Sequence, residues 1–402
     1  MKIVFFSFYY PPDLSAGSFR SVALARALAN KISNNDELHI ITTHPNRYSS
    51  FKILAQDKEQ HKNIIIHRIR VPGHHSGMIS QTFTFYKYAV SAYKLCKKIK
   101  PSFIIGTTGR LMTGLLTGFS SYKVGCNYFI DVRDIFSETI SDLFSQKNKI
   151  LGSIFKFIFS FFEKKLFNNS SGVNIVSEGF PEYYERNGID TSMWSFFPNG
   201  VDKEFINLSL QKDFETQKVK RIIYAGNIGS GQGLDIVLPE IALNLGSNYH
   251  FLLIGDGGKK DILEQKINNN NIDNIEIIAP VDRETLIDYY LNADILFLHL
   301  NDIPAFQRVL PSKIFEYAAM GKPIVAGLNG YSAKFMNDHV PYANTFSSGD
   351  IEAAKSSILQ ASTVKVSDAI VSDFVAQYSR ESIMEKMSEH ILNVILSINS
   401  SN

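Results

Sequence analysis

The chain has 402 residues, a net charge of +2, 45% hydrophobic and 20% charged residues. This length exceeds the size at which one hydrophobic core stops growing, so the sequence predicts two globular domains. The near-neutral charge argues against a nucleic-acid binder. Only Cys96 and Cys126 are present. Two cysteines exclude a disulfide framework and a zinc site built from thiolates, and they fit the reducing cytoplasm.

Short apolar strands alternate with helical segments along the chain. This alternation is typical of parallel sheets with helices on both faces, so the predicted fold class is α/β with two Rossmann-like domains. The first apolar run stops at Pro11-Pro12, which favours a buried strand over a signal peptide, and no segment is long and apolar enough to cross a bilayer of about 30 Å. The predicted strands are 3–8, 38–42, 64–69, 103–105, 127–130, 173–176, 194–197, 221–225, 250–254, 275–278, 294–298 and 323–326.

The domain boundary is predicted where turn residues at 197–202 are followed by a polar stretch without periodicity. We therefore expect an N-terminal domain over 1–205 and a C-terminal domain over 206–378. The tail, 379–402, has a helical pattern and is able to pack back across either domain.

Glycine-containing turns follow three predicted strands: one includes Gly17, one spans Gly226–Gly233, and one spans Gly255–Gly258. In open α/β sheets, ligands bind at the carboxyl ends of the strands, where such turns lie. The turn at 226–233 lacks the G-x-G-x-x-G spacing of a dinucleotide site, and the chain has no P-loop motif. For each of the three, a plain tight turn stays an alternative.

The segment Leu310–Ala326 predicts a helix that begins beside an anionic, ribose-bearing ligand. Ser312 is expected to be the N-cap, and Gly321 is expected to end the helix. Helical periodicity places Ser312, Lys313 and Glu316 on one face. Free N–H groups and a lysine at a helix start suit a diphosphate, and Glu316 suits ribose hydroxyls. An ordinary surface helix with a salt-bridging glutamate stays the alternative.

The chain resembles the retaining glycosyltransferases of family 4. The resemblance rests on these turns and this helix, read in order, and on three further segments: Asp131–Asp134, Val176–Phe180 and Pro198–Asp202. Within that family, the P-S-K-x-x-E-Y signature at Pro311–Tyr317 is similar to bacterial O-antigen and capsule enzymes that transfer N-acetyl-L-fucosamine. The resemblance covers nearly the whole chain. It implies the GT-B fold, in which two Rossmann-like domains face a central cleft.

The resemblance also implies a UDP-sugar donor in the C-terminal domain and an acceptor held mainly by the N-terminal domain. Glu316 would bind the ribose, Ser312 and Lys313 the diphosphate, and Ala279–Val281 the uracil. Gly17 would approach the donor phosphate from the other side of the cleft. The candidate substrate-binding residues are Gly17, Arg20, Asn227, Gln232, Gly255, Pro280, Val281, Ser312, Lys313 and Glu316.

Two positions depart from the family pattern. The E-x7-E motif would place a glutamate eight residues before Glu316, but Arg308 is there. Gln232 stands near the place where relatives offer a basic residue. Lys313 is thus the leading candidate for neutralising the departing diphosphate, with Arg308 as a helper. The chain lacks an Asp-x-Asp pair, so we expect neither a metal nor another cofactor.

Asp131 and Asp134 follow an apolar strand and are expected to face the cleft. Asp134 is the candidate for polarising the acceptor hydroxyl, and a structural pair with Arg133 or Arg110 is an equal alternative. His74-His75 lies in a predicted loop, where further ligands for a metal are missing.

Two segments combine aromatic residues with lysines and suggest a lipid-linked acceptor. For 81–100, packing within the fold is favoured; for 150–167, contact with the membrane interface is favoured. Together with these segments, the family resemblance implies a metal-independent, retaining glycosyltransferase that transfers N-acetyl-L-fucosamine from a UDP-sugar to a polyprenyl-diphosphate-linked saccharide. Its place would be the cytoplasmic face of the inner membrane, in O-antigen or capsule biosynthesis. A UDP-sugar 2-epimerase and an inactive nucleotide-sugar-binding partner subunit are the alternatives.

Overall fold

A computed structural model of the protein describes residues 1–13, 16–45, 55–72, 78–108, 111–135, 137, 149–206 and 219–400. Residue contacts divide the chain into two units. Unit 1 comprises Met1–Asn199 and Arg380–Asn402, and unit 2 comprises Gly200–Ser379. The contact-based division thus falls between Asn199 and Gly200, and the C-terminal tail belongs to unit 1.

Unit 1 is built on a sheet of eight described strands. They are β1 (Lys2–Phe6), β2 (Glu37–Thr43), β3 (Lys58–His61), β4 (Ile64–Ile69), β5 (Phe103–Thr107), β6 (Asn127–Val132), β7 (Gly172–Ile175) and β8 (Ser195–Phe196). Their order is β3-β4-β2-β1-β5-β6-β7-β8, and only the β3–β4 pair is antiparallel. The central strand β1 is apolar and buried from Ile3 to Phe6, as expected of a parallel strand covered on both faces.

The helices of unit 1 include α1 (Ala16–Lys31), α2 (Met78–Ile99), α3 (Leu111–Val124), α4 (Lys149–Asn168) and α5 (Pro181–Arg186). Contacts join α2 to α3 and α3 to α4. The glycines at 114 and 118 of α3 allow α4 to approach closely, since Leu166 of α4 lies 3.0 Å from the positions that their Cβ atoms would occupy. Leu166 O also accepts a 2.5 Å hydrogen bond from Tyr128 Oη of β6. The inner side of α4 is thereby fixed to unit 1.

Unit 2 is built on a sheet of six strands, with β9 (Lys220–Asn227), β10 (Tyr249–Asp256), β11 (Ile275–Ile278), β12 (Ile295–His299), β13 (Ile324–Gly327) and β14 (Ala343–Phe346). All neighbouring strands are parallel, in the order β11-β10-β9-β12-β13-β14. Its helices are α6 (Leu234–Leu245), α7 (Lys260–Asn269), α8 (Arg283–Leu291), α9 (Ser312–Ala319), α10 (Gly330–His339), α11 (Ile351–Ala361) and α12 (Asp368–Tyr378).

The C-terminal helix α13 (Arg380–Ser400) packs against α1 of unit 1. Met384, Met387 and Ile391 of this helix are fully buried. On its polar side, Lys31 Nζ lies 2.7 Å from Glu389 Oε1. The tail is therefore part of the core of unit 1.

Two short strands, β3 and β14, were not predicted from the sequence. The β3 sequence, KEQH, is polar and mostly exposed, because an edge strand is held by backbone hydrogen bonds to its single neighbour. β14 is an edge strand of four residues with only Phe346 buried. Neither segment shows the apolar periodicity on which a prediction depends.

Candidate functional site

The carboxyl ends of the parallel strands in unit 2 bring together the segments that the sequence singled out. The segment Gly226–Gly233 begins with the last two residues of β9, Gly255–Gly258 begins with the last two residues of β10, and Ala279–Val281 follows β11. Helix α9 begins after the segment that leaves β12. In parallel α/β sheets this edge is where ligands bind, so these segments form the candidate donor site.

Helix α9 divides its side chains as the periodicity predicted. Ser312, Lys313 and Glu316 are partly exposed, whereas Ile314, Phe315, Tyr317, Ala318 and Ala319 are buried. The predicted cap is wrong by one residue: Pro311 is the N-cap, with extended backbone, and Ser312 is the first helical residue. Proline fits this place because its ring fixes φ near −65° and it lacks an N–H. The N-cap therefore supplies no side-chain hydrogen bond to the start of the helix.

The Lys313 side chain lies over Gly226, at the start of the glycine turn. A Cβ built on Gly226 would be 3.0 Å from Lys313 Cε, and its φ of +151° is one that glycine alone adopts readily. Lys313 Nζ is 3.9 Å from Glu316 Oε2 and 5.5 Å from the centre of the Tyr317 ring. Burial lowers the pKa of Lys313, and Glu316 opposes that shift. A helix start, a glycine turn and an ammonium group thus converge on one position, an arrangement that suits an anion.

Two buried tyrosines hold the end of β9 and were missed by the sequence reading. Tyr224 Oη donates a 2.6 Å hydrogen bond to Asn227 O, and Ala225 N donates a 3.1 Å bond to Tyr317 Oη. A tyrosine in an apolar strand or on an apolar helix face is predicted to be a core residue. The sequence therefore gave no signal for these hydrogen bonds to the backbone. The two hydroxyl groups fix the backbone of the turn under Lys313.

The glycine turn is also held from within. Asn227 Nδ2 donates a 2.8 Å hydrogen bond to Gln232 Oε1. His299, fully buried at the end of β12, donates from Nδ1 to Gln232 O at 2.6 Å and accepts at Nε2 from Gly349 N at 3.2 Å. Burial lowers the pKa of His299, although the bond to Gln232 raises it. The two contacts define a neutral imidazole that positions the turn.

The other candidates in unit 2 occupy different surroundings. Gly255 is required by strand packing, since a Cβ there would lie 1.9 Å from Gly226 O. Pro280 is exposed and Val281 is partly exposed, immediately before α8. Arg308 Nη1 donates a 3.0 Å hydrogen bond to Pro304 O of the preceding turn. The structure accounts for Gly255 through packing and shows Arg308 stabilising its own turn.

Arg283, which the sequence did not single out, lies beside this site. Its Nη2 is 2.5 Å from Asp202 Oδ2 and 3.8 Å from Glu204 Oε2, and its guanidinium lies over the Phe205 ring at 4.8 Å. Burial would lower the pKa of Arg283, but Asp202, Glu204 and Glu316 together raise it. Glu316 therefore lies in the field of a second cation.

In unit 1, the side chain of Arg20, a predicted substrate contact, is held inside the protein by hydrogen bonds. The side chain is 1% exposed. Its guanidinium forms two hydrogen bonds to Asp131, of 2.8 and 2.9 Å, and donates to Pro198 O and Phe197 O. Asp131, expected to face a cleft, is likewise buried. Burial raises the pKa of Asp131, but Arg20 and Asn174 lower it below its usual range. This pair ties α1, β6 and β8 together.

Asp134 differs from Asp131 because its side chain is exposed. Desolvation by surrounding protein raises the pKa of Asp134 to about 6, against the attraction of Arg133. The backbone leading to it is fixed by a 3.0 Å hydrogen bond from Arg133 N to Thr108 Oγ1. Arg133 is thus an electrostatic neighbour, whereas Arg110 and His74-His75 lie outside the described residues. An accessible carboxylate with a raised pKa suits a proton acceptor.

The structure shows no metal-binding group within the part of the chain that it describes: no cluster there contains three or more His, Cys, Asp or Glu side chains. It also shows, over the same residues, no helix long and apolar enough to cross a membrane. Gly17 lies in the first turn of α1.

Both segments that combine aromatic residues with lysines expose aromatic rings, including 81–100, for which packing within the fold was favoured. On α4, Phe157 is 77% and Phe161 59% exposed. Segment 81–100 is divided: Phe85 and Tyr88 are buried, but Phe83 and Tyr86 are exposed. The neighbouring helix α3 adds Phe119 and Tyr122, with Lys123 within 5.8 Å of both ring centres. The outer side of these three helices therefore carries apolar rings beside lysines.

The chain is similar to one described protein family and to two known glycosyltransferase sequences. Residues 207–367 match the family described as Glycosyl transferases group 1. The putative colanic acid biosynthesis glycosyl transferase WcaI of Escherichia coli K12 is 26% identical over 42% of this chain and 44% of its own length. An uncharacterized glycosyltransferase, MJ1178 of Methanocaldococcus jannaschii, is 23% identical over 81% of this chain and 78% of its own. The chain thus aligns with less than half of WcaI.

Two solved structures share the fold over nearly full length. Sucrose-phosphate synthase from Thermosynechococcus elongatus superposes with a TM-score of 0.73 at 14% identity, covering 98% of this chain and 99% of that one. Anabaena HepE in complex with UDP-glucose gives a TM-score of 0.65 at 14% identity, with coverage of 98% and 99%. At this identity the likeness establishes the fold alone.

The protein therefore has the GT-B fold, as the sequence predicted. The segment that matches the group 1 family, 207–367, makes up most of unit 2.

Proposed function

We propose that this protein is a retaining, metal-independent glycosyltransferase. It would transfer a sugar, with N-acetyl-L-fucosamine as the leading candidate, from a UDP-sugar to a polyprenyl-diphosphate-linked saccharide. The observation that carries the proposal is the placement of Lys313 over Gly226 with Glu316 on the same face of α9. These residues lie inside the segment that matches the group 1 family.

The donor would lie along the strand ends of unit 2. Lys313, the start of α9 and the N–H groups of the glycine turn supply positive potential for a diphosphate, and Glu316 supplies acceptor oxygens for ribose hydroxyls. Ala279–Val281 would contact the uracil through their backbone. HepE, which shares the fold, was solved with UDP-glucose, and that ligand supports a UDP-sugar as donor here.

Charge on the leaving diphosphate would be stabilised by preorganised groups. As the bond between sugar and phosphate oxygen breaks, negative charge grows on the diphosphate, and a fixed ammonium stabilises that charge more than the ground state. The hydrogen bonds that Tyr224 and His299 donate, and the one that Tyr317 accepts from Ala225 N, keep the turn rigid during this step. In unit 1, Asp134 would accept the hydrogen bond of the acceptor hydroxyl and draw its proton.

The lipid-linked acceptor is supported by the exposed rings of α4 and by the kind of relative found. WcaI is described as a colanic acid biosynthesis glycosyl transferase. Exposed aromatic rings followed by Lys164 and Lys165, both exposed, suit an anionic membrane surface. The proposed place of action is the cytoplasmic face of the inner membrane.

Turnover by the purified full chain tests the proposal. UDP- and GDP-sugars are first screened by thermal shift, because a ligand that binds only the native state raises the melting temperature. The donors that shift it are then incubated with a lipid-diphosphate saccharide, with and without EDTA, and products are identified by mass spectrometry. We expect transfer that survives EDTA. Epimerised UDP-sugar without transfer would support the epimerase, and binding without turnover would support the inactive subunit.

A further inference from the structure

A buried cluster of hydroxyl groups and a carboxylate joins α4 and α5 to the segment that carries Asp134. Glu163 of α4 is 2% exposed, and its Oε2 accepts a 2.5 Å hydrogen bond from Ser137 Oγ. Glu163 Oε1 accepts a longer bond, 3.4 Å, from Ser137 N. Ser137 Oγ lies 2.7 Å from Tyr183 Oη of α5. We call these three residues the Ser137 cluster.

The position of the Ser137 cluster along the chain gives it a consequence for Asp134. Ser137 is three residues after Asp134, and Ile135 between them is 2% exposed. Three residues span at most about 11 Å, so fixing Ser137 restricts where the Asp134 carboxylate lies. A buried carboxylate is costly unless hydrogen bonds satisfy it, and such bonds are directional. If residue 163 served packing alone, an apolar side chain would be sufficient there.

The same helix carries the rings proposed to contact lipid. Successive residues of an α-helix are about 100° apart, which places Phe157 and Phe161 more than 100° around the helix from Glu163. The exposures agree, because Phe157 is 77% and Phe161 59% exposed while Glu163 is buried. One side of α4 thus faces outward with its rings, and the other holds Ser137.

We propose that Glu163 is a positioning residue that couples lipid contact on the outer side of α4 to the placement of Asp134. This inference rests on the proposed function. A helix held at a bilayer surface moves as a rigid element, so the carboxylate on its inner side transmits that restraint to Ser137. The acceptor hydroxyl would then be activated best when the enzyme is on the membrane that presents its acceptor.

The test compares Glu163→Gln and Ser137→Ala with the wild type and with Glu182→Gln. Glu163→Gln keeps the size of the side chain but removes its charge and one acceptor oxygen. Ser137→Ala removes only the hydroxyl group and guards against a Glu163 variant that fails to fold. Glu182 of α5, whose side chain is 61% exposed, is the matched control. Each protein is assayed for donor KM, for kcat on a short-chain acceptor with and without phosphatidylglycerol vesicles, and for flotation.

We expect wild type and Glu182→Gln to be stimulated by vesicles. Both cluster variants should float normally and keep the donor KM, but lose the stimulation and about tenfold in kcat, as misplacement of a reacting group predicts. Wild-type kcat and stimulation in both variants would overturn the inference alone. Parallel loss of flotation, donor KM and kcat would also overturn it, because a merely structural role acts on all three. Absence of vesicle binding by the wild type would overturn both the inference and the proposed membrane location.

Discussion

At the scale of single residues, Glu316 interacts electrostatically with two cations of unit 2. Lys313 Nζ is 3.9 Å from its carboxylate, and Arg283 lies close enough for Glu316 to raise its pKa. A carboxylate accepts stronger hydrogen bonds from hydroxyl groups than a neutral acceptor does.

We expect Glu316→Ala to weaken UDP binding by about 1–3 kcal/mol, since charged hydrogen bonds to two ribose hydroxyls are removed. Isothermal calorimetry measures this change. Glu264→Ala, on the exposed surface of α7, is the matched control because its side chain is 45% exposed and pairs only loosely with Lys260, at 3.7 Å. Equal UDP affinity in all three proteins would refute the ribose role.

Lys313→Ala is expected to lower kcat more than it raises the donor KM. The reason is that the ammonium interacts most strongly with charge that develops on the diphosphate in the transition state. Steady-state kinetics with varied donor separates the two parameters. A change confined to KM would assign Lys313 to ground-state binding.

Asp134 predicts a pH dependence with a defined sign. Its pKa in the folded protein is raised from 3.8 to about 6, so kcat should fall below pH 6 as the base becomes protonated. Asp134→Asn should lose most activity, and its remaining kcat should no longer fall as the pH drops below 6. A kcat that stays constant from pH 5 to pH 8 in the wild type would contradict a base role.

The same shift has a consequence for stability. A raised pKa in the folded state means that ionised Asp134 disfavours folding, so its contribution is favourable below its unfolded pKa and is lost as pH rises through about 6. Asp134→Asn should therefore melt at a higher temperature than wild type above pH 6, and the gain should vanish near pH 4.

At the scale of elements, α4 packs through its inner side and exposes aromatic rings on its outer side. Its inner side is fixed by Leu166 and Glu163, both buried, while Phe157 and Phe161 lie in solvent. An amphipathic helix with lysines near its apolar side binds anionic interfaces through buried apolar area and charge attraction. The attraction weakens as salt rises.

We expect replacement of Phe157 and Phe161 by Ser to abolish flotation with anionic liposomes. Activity on a long-chain lipid acceptor should fall, and activity on a short-chain analogue should persist, because only the former is presented at a bilayer. Replacement of Ile236 and Leu243 by Ser, two exposed apolar residues of α6, is the matched control. Unfolding of the α4 variant, or equal loss of both activities, would show that the rings belong to the core.

At the scale of the whole molecule, the chain crosses from unit 1 to unit 2 and returns with α13. This helix buries Met384, Met387 and Ile391 against unit 1, and Met387 contacts the guanidinium of Arg20 at 3.5 Å. Burial of each such side chain contributes about 1.5–3 kcal/mol, so α13 supplies a large share of the stability of unit 1.

A chain that ends at Ser379 should therefore have a destabilised unit 1. We expect limited proteolysis to digest residues within 1–199 while fragments of unit 2 persist, and circular dichroism to show a lower melting temperature. A chain that ends at Ile398 is the control. Equal resistance of the two truncated chains would refute a structural role for α13.

The sequence predicted two parallel α/β sheets, because buried parallel strands are apolar on both faces and give a strong signal. The GT-B fold was predicted from the resemblance to family 4. It also placed Ser312, Lys313 and Glu316 on one face of α9, since helical periodicity is a local property. Their ligand roles stay predictions, as does that of Asp134.

Tertiary structure decided which charged and polar residues are structural. Arg20 and Asp131 bond across 111 residues of sequence, and Ser137 meets Glu163 and Tyr183 from separate helices. The hydroxyl groups of Tyr224 and Tyr317 reach the same turn from a strand and a helix. Periodicity reports which way a side chain points within its own element. A buried hydrogen bond depends instead on which distant element packs opposite, and only the folded chain fixes that.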